Sequence, residues 1–118
     1  MVRNNNNDNN NNNNQDPCYV HPSKNPMTVC VTPLSSGDNY HAWALKMCRA
    51  LAMKNKSKFI DGLIEIPKED DLNFPAWERC NNLVHSWIVN STTPLVAESI
   101  VFNENAIDVW NDLKDRYM

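Results

Sequence analysis

Gly37-Asp38-Asn39-Tyr40-His41-Ala42-Trp43 is the stretch that decides the fold, because it opens a helix that we predict to run to about Asn55. Gly37 permits a turn before the helix, and Asp38 or Asn39 is a suitable N-cap. Apolar side chains then recur at spacings of three and four residues, at Tyr40, Trp43, Ala44, Met47 and Leu51. This spacing places them on one face of an α-helix, which other parts of the chain must cover.

Basic side chains occupy the rest of this helix and the loop that follows it. Between residues 39 and 58 the chain has five basic residues and no acidic ones, namely Lys46, Arg49, Lys54, Lys56 and Lys58. The whole chain nevertheless has a net charge of −3, so its bulk electrostatics do not favour a general nucleic-acid binder. Two interpretations stay open: a weak, salt-sensitive contact with RNA, or a solvated face balanced by acidic neighbours.

A second long helix is predicted to begin near Asn73, with Pro75 in its first turn, where the missing N–H costs nothing. Its apolar stripe consists of Trp77, Cys80, Val84, Trp87, Ile88 and Ser91. The polar side chains Glu78, Asn81, Asn82 and His85 are predicted to face the other way. This is the strongest amphipathic pattern in the chain.

Two shorter helices are predicted after Pro94. The first covers Leu95 to about Val101, and the second is capped by Asn103 or Asn105. The stripe of the last helix is Ala106, Val109, Trp110, Leu113 and Tyr117, with Asp108, Asp112 and Asp115 on its solvent side. That helix is still running at Met118, which suggests a domain that continues further.

Together these patterns predict a mostly α fold, a small bundle of about four helices with an extended or short β N-terminal arm. Its predicted core is Tyr40, Trp43, Met47, Leu51, Phe59, Trp77, Cys80, Trp87, Ile88, Trp110 and Leu113. The four tryptophans fall on three of the helices, so one shared core accounts for all of them.

The N-terminal region differs from the rest in composition. Ten of the first fourteen residues are Asn, so we expect residues 1–17 to be a disordered tail and residues 18–118 to form the domain. Residues 16–26 contain three prolines and should be extended. Met27-Thr28-Val29-Cys30-Val31 is a short β-prone run before Pro33, predicted as one strand or an extended arm.

The sequence does not predict an enzyme. It contains no recognised catalytic or phosphate-binding motif, and the spacings of its histidines and its four cysteines do not match a metal site. His21, His41 and His85 are each expected to be neutral surface side chains. No apolar run is long enough to span a bilayer. We therefore expect no cofactor, metal, small-molecule substrate or membrane partner, and an intracellular, cytoplasmic location with reduced thiols.

The order of short motifs resembles a known family. The motifs are His21-Pro22-Ser23-Lys24-Asn25-Pro26, Ser36-Gly37-Asp38-Asn39-Tyr40-x-x-Trp43, Lys54-Asn55-Lys56, Phe59-Ile60-Asp61-Gly62, Trp77-x-x-Cys80-Asn81, Ser86-Trp87-Ile88-x-Asn90-Ser91 and Trp110-x-x-Leu113-x-x-Arg116. They are similar to the N-terminal domain of the Gag-like part of plant Copia-type LTR retrotransposon polyproteins. The resemblance covers about residues 18–118.

This resemblance implies a non-enzymatic Gag or capsid-like module that acts by protein–protein assembly into virus-like particles. Its partners would be further copies of itself or other Gag-like chains, with weak RNA contact. Two alternatives stay open. One is a weak nucleic-acid-binding module that uses the basic helix over residues 39–58. The other is a decayed or host-derived retrotransposon remnant with no present activity.

Overall fold

The computed structural model describes residues 31–118, which form five helices and no strand. The helices are α1 (Gly37–Met53), α2 (Lys58–Asp61), α3 (Phe74–Asn90), α4 (Pro94–Ile100) and α5 (Ala106–Tyr117). The mostly α fold is therefore confirmed. The single-turn helix α2 adds to the four predicted helices, and Gly62 ends it in the left-handed conformation at φ 78°. The predicted tail and the run from Met27 to Cys30 lie outside the described residues.

The start of α1 is built by Ser36 and Asn39. Ser36 is the N-cap, so the prediction that Asp38 or Asn39 fills this position was wrong by two or three residues. The Ser36 hydroxyl accepts a hydrogen bond from the Asp38 N–H at 3.2 Å, and Asn39 Oδ1 accepts one from the Ser36 N–H at 3.3 Å. Asn39 therefore supplies the second hydrogen bond of a capping box, in which its side chain accepts from the backbone N–H of the N-cap.

The end of α1 closes as a Schellman motif. The Lys56 N–H donates to the Leu51 carbonyl at 2.7 Å, and the Asn55 N–H donates to the Ala52 carbonyl at 3.0 Å. This pattern needs a left-handed residue between the helix and the loop, which Asn55 supplies at φ 59°. The residue after it commonly packs against the last turn of the helix, and this position is Lys56.

One core joins all five helices. Helix α5 packs against α2, α3 and α4, and aromatic side chains attach α1 to it. Trp43 stacks on Trp110 with ring centroids 5.6 Å apart, and Tyr40 stacks on Tyr117 at 5.8 Å. The four tryptophans all contribute to this core, as their stripes predicted.

The arm before α1 is fastened to the end of α3. The Leu34 N–H donates to the Ser91 carbonyl and the Thr93 N–H donates to the Leu34 carbonyl, both at 2.9 Å. These bonds form an isolated parallel bridge rather than a strand. The Ser91 carbonyl also accepts a hydrogen bond from Trp43 Nε1 at 2.8 Å, so one oxygen ties the arm, α1 and α3 together.

Two polar side chains of α3 lie elsewhere than predicted. Asn81 is only 4% exposed, although it was expected on the solvent side. Its Oδ1 accepts a hydrogen bond from the Ala106 N–H at 2.8 Å, and its Nδ2 donates to the Glu104 carbonyl at 3.1 Å. His85 is half-buried and its Nε2 donates to the Asn103 carbonyl. Both residues hold the loop between α4 and α5, which helical periodicity cannot reveal.

Candidate interaction surfaces

The residues predicted as the core and those predicted as an RNA contact occupy different parts of the molecule. Every side chain of the predicted core set is buried in the cluster that joins the helices. These residues therefore expose little surface with which to contact a partner. Within residues 31–118, the outer faces of the helices and the loops between them offer most of the surface for binding.

The five basic residues do not form one surface. Lys46, Arg49 and Lys58 are exposed, whereas Lys54 is half-buried and Lys56 is only 2% exposed. Lys54 places its Nζ 5.3 Å from the centroid of the Trp87 ring, an arrangement typical of a cation–π contact. Lys56 Nζ donates to the Lys54 carbonyl at 3.3 Å, close to the negative end of the α1 dipole.

Three of the five predicted cations, Lys46, Arg49 and Lys58, are thus exposed, and their contact with RNA stays a prediction. Lys56 is buried because the Schellman motif at the end of α1 turns it back onto the helix. We call the outer side of α1, formed by Leu45, Lys46, Arg49 and Met53, the basic α1 face. Leu45 and Met53 add exposed apolar area to it.

The outer side of α5 has the opposite charge. Asp108 and Asp115 are exposed and seven residues apart, so they lie two turns apart on one line of the helix. Asp112 lies beside that line and is half-buried. Its Oδ1 pairs with Arg116 Nη2 at 3.0 Å, and its Oδ2 accepts from Asn103 Nδ2 at 3.1 Å. We call this side, formed by Asp108, Asp112 and Asp115, the acidic α5 face.

Large apolar side chains are exposed at the outer side of α4 and just after it. Phe102 is 87% exposed, and Leu95 and Val101 are also exposed. Leu95 lies in the first turn of α4, whereas Phe102 follows the C-cap Val101. The sequence pattern placed Leu95 and Val101 in a helix but did not show which side of that helix faces the core. In the structure Val96 and Ile100 face the core, so Leu95 and Val101 lie on the outer side.

An open pocket of about 550 Å³ lies between α1, α2 and α5, with Ile60 and Trp110 in its lining and Lys114 and Cys48 among its polar groups. Partial burial raises the pKa of the Cys48 thiol above its ordinary value of 9.0. The thiol is therefore protonated near neutral pH. The nucleophilic form of a cysteine is the deprotonated thiolate. The pocket does not hold an activated nucleophile.

The histidine, cysteine and carboxylate side chains of residues 31–118 do not group in a way that could hold a metal ion. None of the helices in this part of the chain combines the length and the apolar character that crossing a bilayer requires.

Comparison with known proteins gave one match. Residues 21–68 match the family profile described as Gag-polypeptide of LTR copia-type. The matched segment includes all of α1 and α2, and therefore both ends of the helix that carries the basic face. No curated protein and no solved structure matched the chain. Over residues 21–68 the chain is thus similar to the Gag polypeptide of Copia-type LTR retrotransposons, and the resemblance drawn from its motif order is confirmed.

Proposed function

We propose that this protein is a non-catalytic, Gag-like structural module that works in the cytoplasm by assembling with further copies of itself. The family match over residues 21–68 is the observation that carries the proposal. A Gag-like role calls for surfaces that contact other chains rather than for a reaction site. We extend the module over residues 18–118, because α1 and α2 share their core with α3, α4 and α5.

The exposed apolar side chains support an assembly role. Phe102 and Leu95 keep most of their surface in contact with water, although burying a side chain of this size is worth about 1.5–3 kcal/mol. A second chain that covers them would recover part of this free energy. Single exposed apolar residues are common on monomers. Here Leu95 in α4 and Val101 and Phe102 directly after it are all exposed, which supports a contact surface at this helix.

The test is to measure the mass of the full 118-residue chain by light scattering during size exclusion, over a wide range of concentration. We expect the mass to rise with concentration above that of the 13.6 kDa chain. Phe102→Ser should shift this rise to higher concentration. Leu72→Ser is the matched control, because Leu72 is 96% exposed but lies in the loop before α3.

Two results would contradict the proposal. The first is a mass that stays at one chain at every concentration. The second is a rise that Leu72→Ser shifts as much as Phe102→Ser does, since that would indicate nonspecific aggregation. Far-UV circular dichroism of each variant shows whether the helices are intact.

A further inference from the structure

We propose that the basic α1 face of one copy docks on the acidic α5 face of a second copy. This inference rests on the proposed assembly role and names the two surfaces that meet. It assigns the basic face to a protein partner, namely this chain itself, rather than to nucleic acid.

The first argument is that the two faces carry opposite charges that are only partly neutralised within residues 31–118. Asp112 of the acidic face is paired with Arg116, which is also on α5. Among the described residues, Lys46 and Arg49 form no ion pair, and Asp108 and Asp115 form none either. These four side chains therefore keep their charge available for another molecule.

The second argument is that each face is a long, regular helix side. Helix α1 has 17 residues and α5 has 12, so they extend for about 25 and 18 Å at 1.5 Å per residue. Two such sides can lie against each other over several turns.

The third argument concerns what else could occupy the basic face. RNA would meet two cations on this face, Lys46 and Arg49, while Lys58 is exposed on α2. Lys54 is half-buried over Trp87, and Lys56 is buried. Few phosphate contacts give weak binding at physiological salt. Leu45 and Met53 supply exposed apolar area beside the two cations. A protein surface can cover such area, whereas a phosphate backbone cannot.

A contact of this kind is weak and sensitive to salt, because exposed ion pairs are screened. Complementary charge mainly sets which surfaces meet and how fast they associate. We expect the association of the full chain to weaken when the ionic strength is raised from about 0.05 M to about 0.5 M. Salt alone would also weaken an RNA contact, so the decisive test uses charge reversal.

The experiment compares two double variants of the full chain. Lys46→Glu with Arg49→Glu reverses the basic α1 face, and Asp108→Lys with Asp115→Lys reverses the acidic α5 face. Each variant should self-associate roughly tenfold more weakly than the wild type, because like charges then meet. When the two variants are mixed in equal amounts, association should return. In the mixture, the unchanged basic α1 face of the second variant can meet the unchanged acidic α5 face of the first. The reversed α1 face of the first variant can also meet the reversed α5 face of the second, with both charges exchanged.

The chain offers controls with the same change of net charge. Lys68→Glu with Arg79→Glu matches the first variant, and Glu69→Lys with Asp70→Lys matches the second; these four side chains are exposed and lie on neither face. Both controls, and their mixture, should associate as the wild type does. Because Asp108 lies in the first turn of α5, Asp108→Asn with Asp115→Asn is added as a milder change that should weaken association less.

Each outcome bears on a different claim. Restored association of the mixture, with unaffected controls, supports the contact. If the wild type associates but the reversed variants behave like it, or their mixture is not restored, the contact is overturned and the assembly role stands. Loss of binding to a single-stranded RNA probe by Lys46→Glu with Arg49→Glu, at unchanged self-association, would assign the basic face to RNA instead. A wild type that remains a single chain overturns both claims.

Discussion

Asn81 belongs to α3, but its side-chain amide completes the hydrogen bonding at the start of α5. It accepts from the Ala106 N–H and donates to the Glu104 carbonyl. The N-cap of α5, Asn105, makes no side-chain hydrogen bond of its own. Asn81 therefore satisfies one of the first backbone donors of α5, which have no partner within the helix, and it does so in a buried position.

Replacing Asn81 by Ala should lower the free energy of unfolding by about 1–3 kcal/mol, because two backbone groups lose their partner. Urea denaturation followed by circular dichroism measures this loss. Asn82→Ala is the control, since Asn82 is the exposed neighbour and should change stability by less than about 0.5 kcal/mol. Equal effects of the two substitutions would show that the Asn81 amide does not hold α5.

Trp43 and Trp87 provide a second comparison between residues. Both are 2% exposed, but Trp43 Nε1 donates to the Ser91 carbonyl at 2.8 Å, whereas Trp87 Nε1 has no hydrogen-bond partner within residues 31–118. The change from Trp to Phe removes the same volume at each site. It removes a satisfied donor at position 43 and an unsatisfied one at position 87.

We expect Trp43→Phe to destabilise the protein more than Trp87→Phe, by about 1 kcal/mol or more. The free energies of unfolding of the two variants, measured under the same conditions, test this difference. A larger loss at Trp87 would mean that the cation–π contact with Lys54 outweighs the hydrogen bond of Trp43.

At the scale of the helices, specific hydrogen bonds and backbone conformations define where the helices begin and end. Helix α1 begins with a capping box and closes with a Schellman motif, and α2 ends on a left-handed glycine. The closing of α1 also has a consequence for function, because it withdraws Lys56 from the surface. The extent of the basic face is thus set by the geometry of a helix end.

The two glycines of the chain should respond to Ala in opposite ways. Gly62 has φ 78°, where a side chain is strained even though the space around it is open, so Gly62→Ala should cost about 1 kcal/mol. Gly37 lies in the first turn of α1, and an added Cβ would meet only Tyr117 Cδ1 at an ordinary 3.7 Å. Gly37→Ala should therefore stabilise the protein by about 0.4–1 kcal/mol.

Thermal denaturation of the two glycine variants beside the wild type measures both signs. A rise in melting temperature for Gly62→Ala would contradict the backbone argument. A fall for Gly37→Ala would mean that the Tyr117 ring cannot accept the added methyl group.

At the scale of the whole molecule, the pH dependence of stability reflects how α1 is buried against its neighbours. Burial, and to a lesser extent the nearby Cys48, raises the pKa of Tyr40 above its ordinary value of 10.0. Burial also raises the pKa of the Cys48 thiol above 9.0. In both cases the unfolded chain loses its proton at a lower pH than the folded protein does. The contribution of each protonated group to the free energy of unfolding is complete below its ordinary pKa. It is lost as the pH rises through the pKa of the group in the folded protein.

The wild type should therefore lose stability above about pH 9–10. Part of this loss should be absent in Tyr40→Phe, which has no hydroxyl to ionise. The measurement is urea unfolding at intervals from neutral to strongly alkaline pH, with Cys48→Ser as a parallel variant. The difference in stability between the wild type and Tyr40→Phe should be constant at neutral pH and change only in the alkaline range. A difference that changes below the ordinary pKa of either group would contradict the assignment.

The sequence by itself determined four of the five helices and most of the core. Apolar spacing placed α1, α3 and α5 within a few residues of their observed bounds, because helical periodicity is a local property that each segment displays on its own. The same apolar stripes predicted that the four tryptophans share one core. The order of short motifs was enough to identify the similarity to Copia-type Gag over residues 21–68.

Only the tertiary structure decided what the polar residues do. Asn81 and His85 were placed in solvent by periodicity, yet they bond to a loop at least 18 residues away in sequence. Lys56 was predicted to be a surface cation, but the turn at the end of α1 buries it. Whether a polar side chain meets water, backbone or another charge depends on which distant segment lies beside it. That neighbour is fixed by the packing of the whole chain, not by the residues on either side.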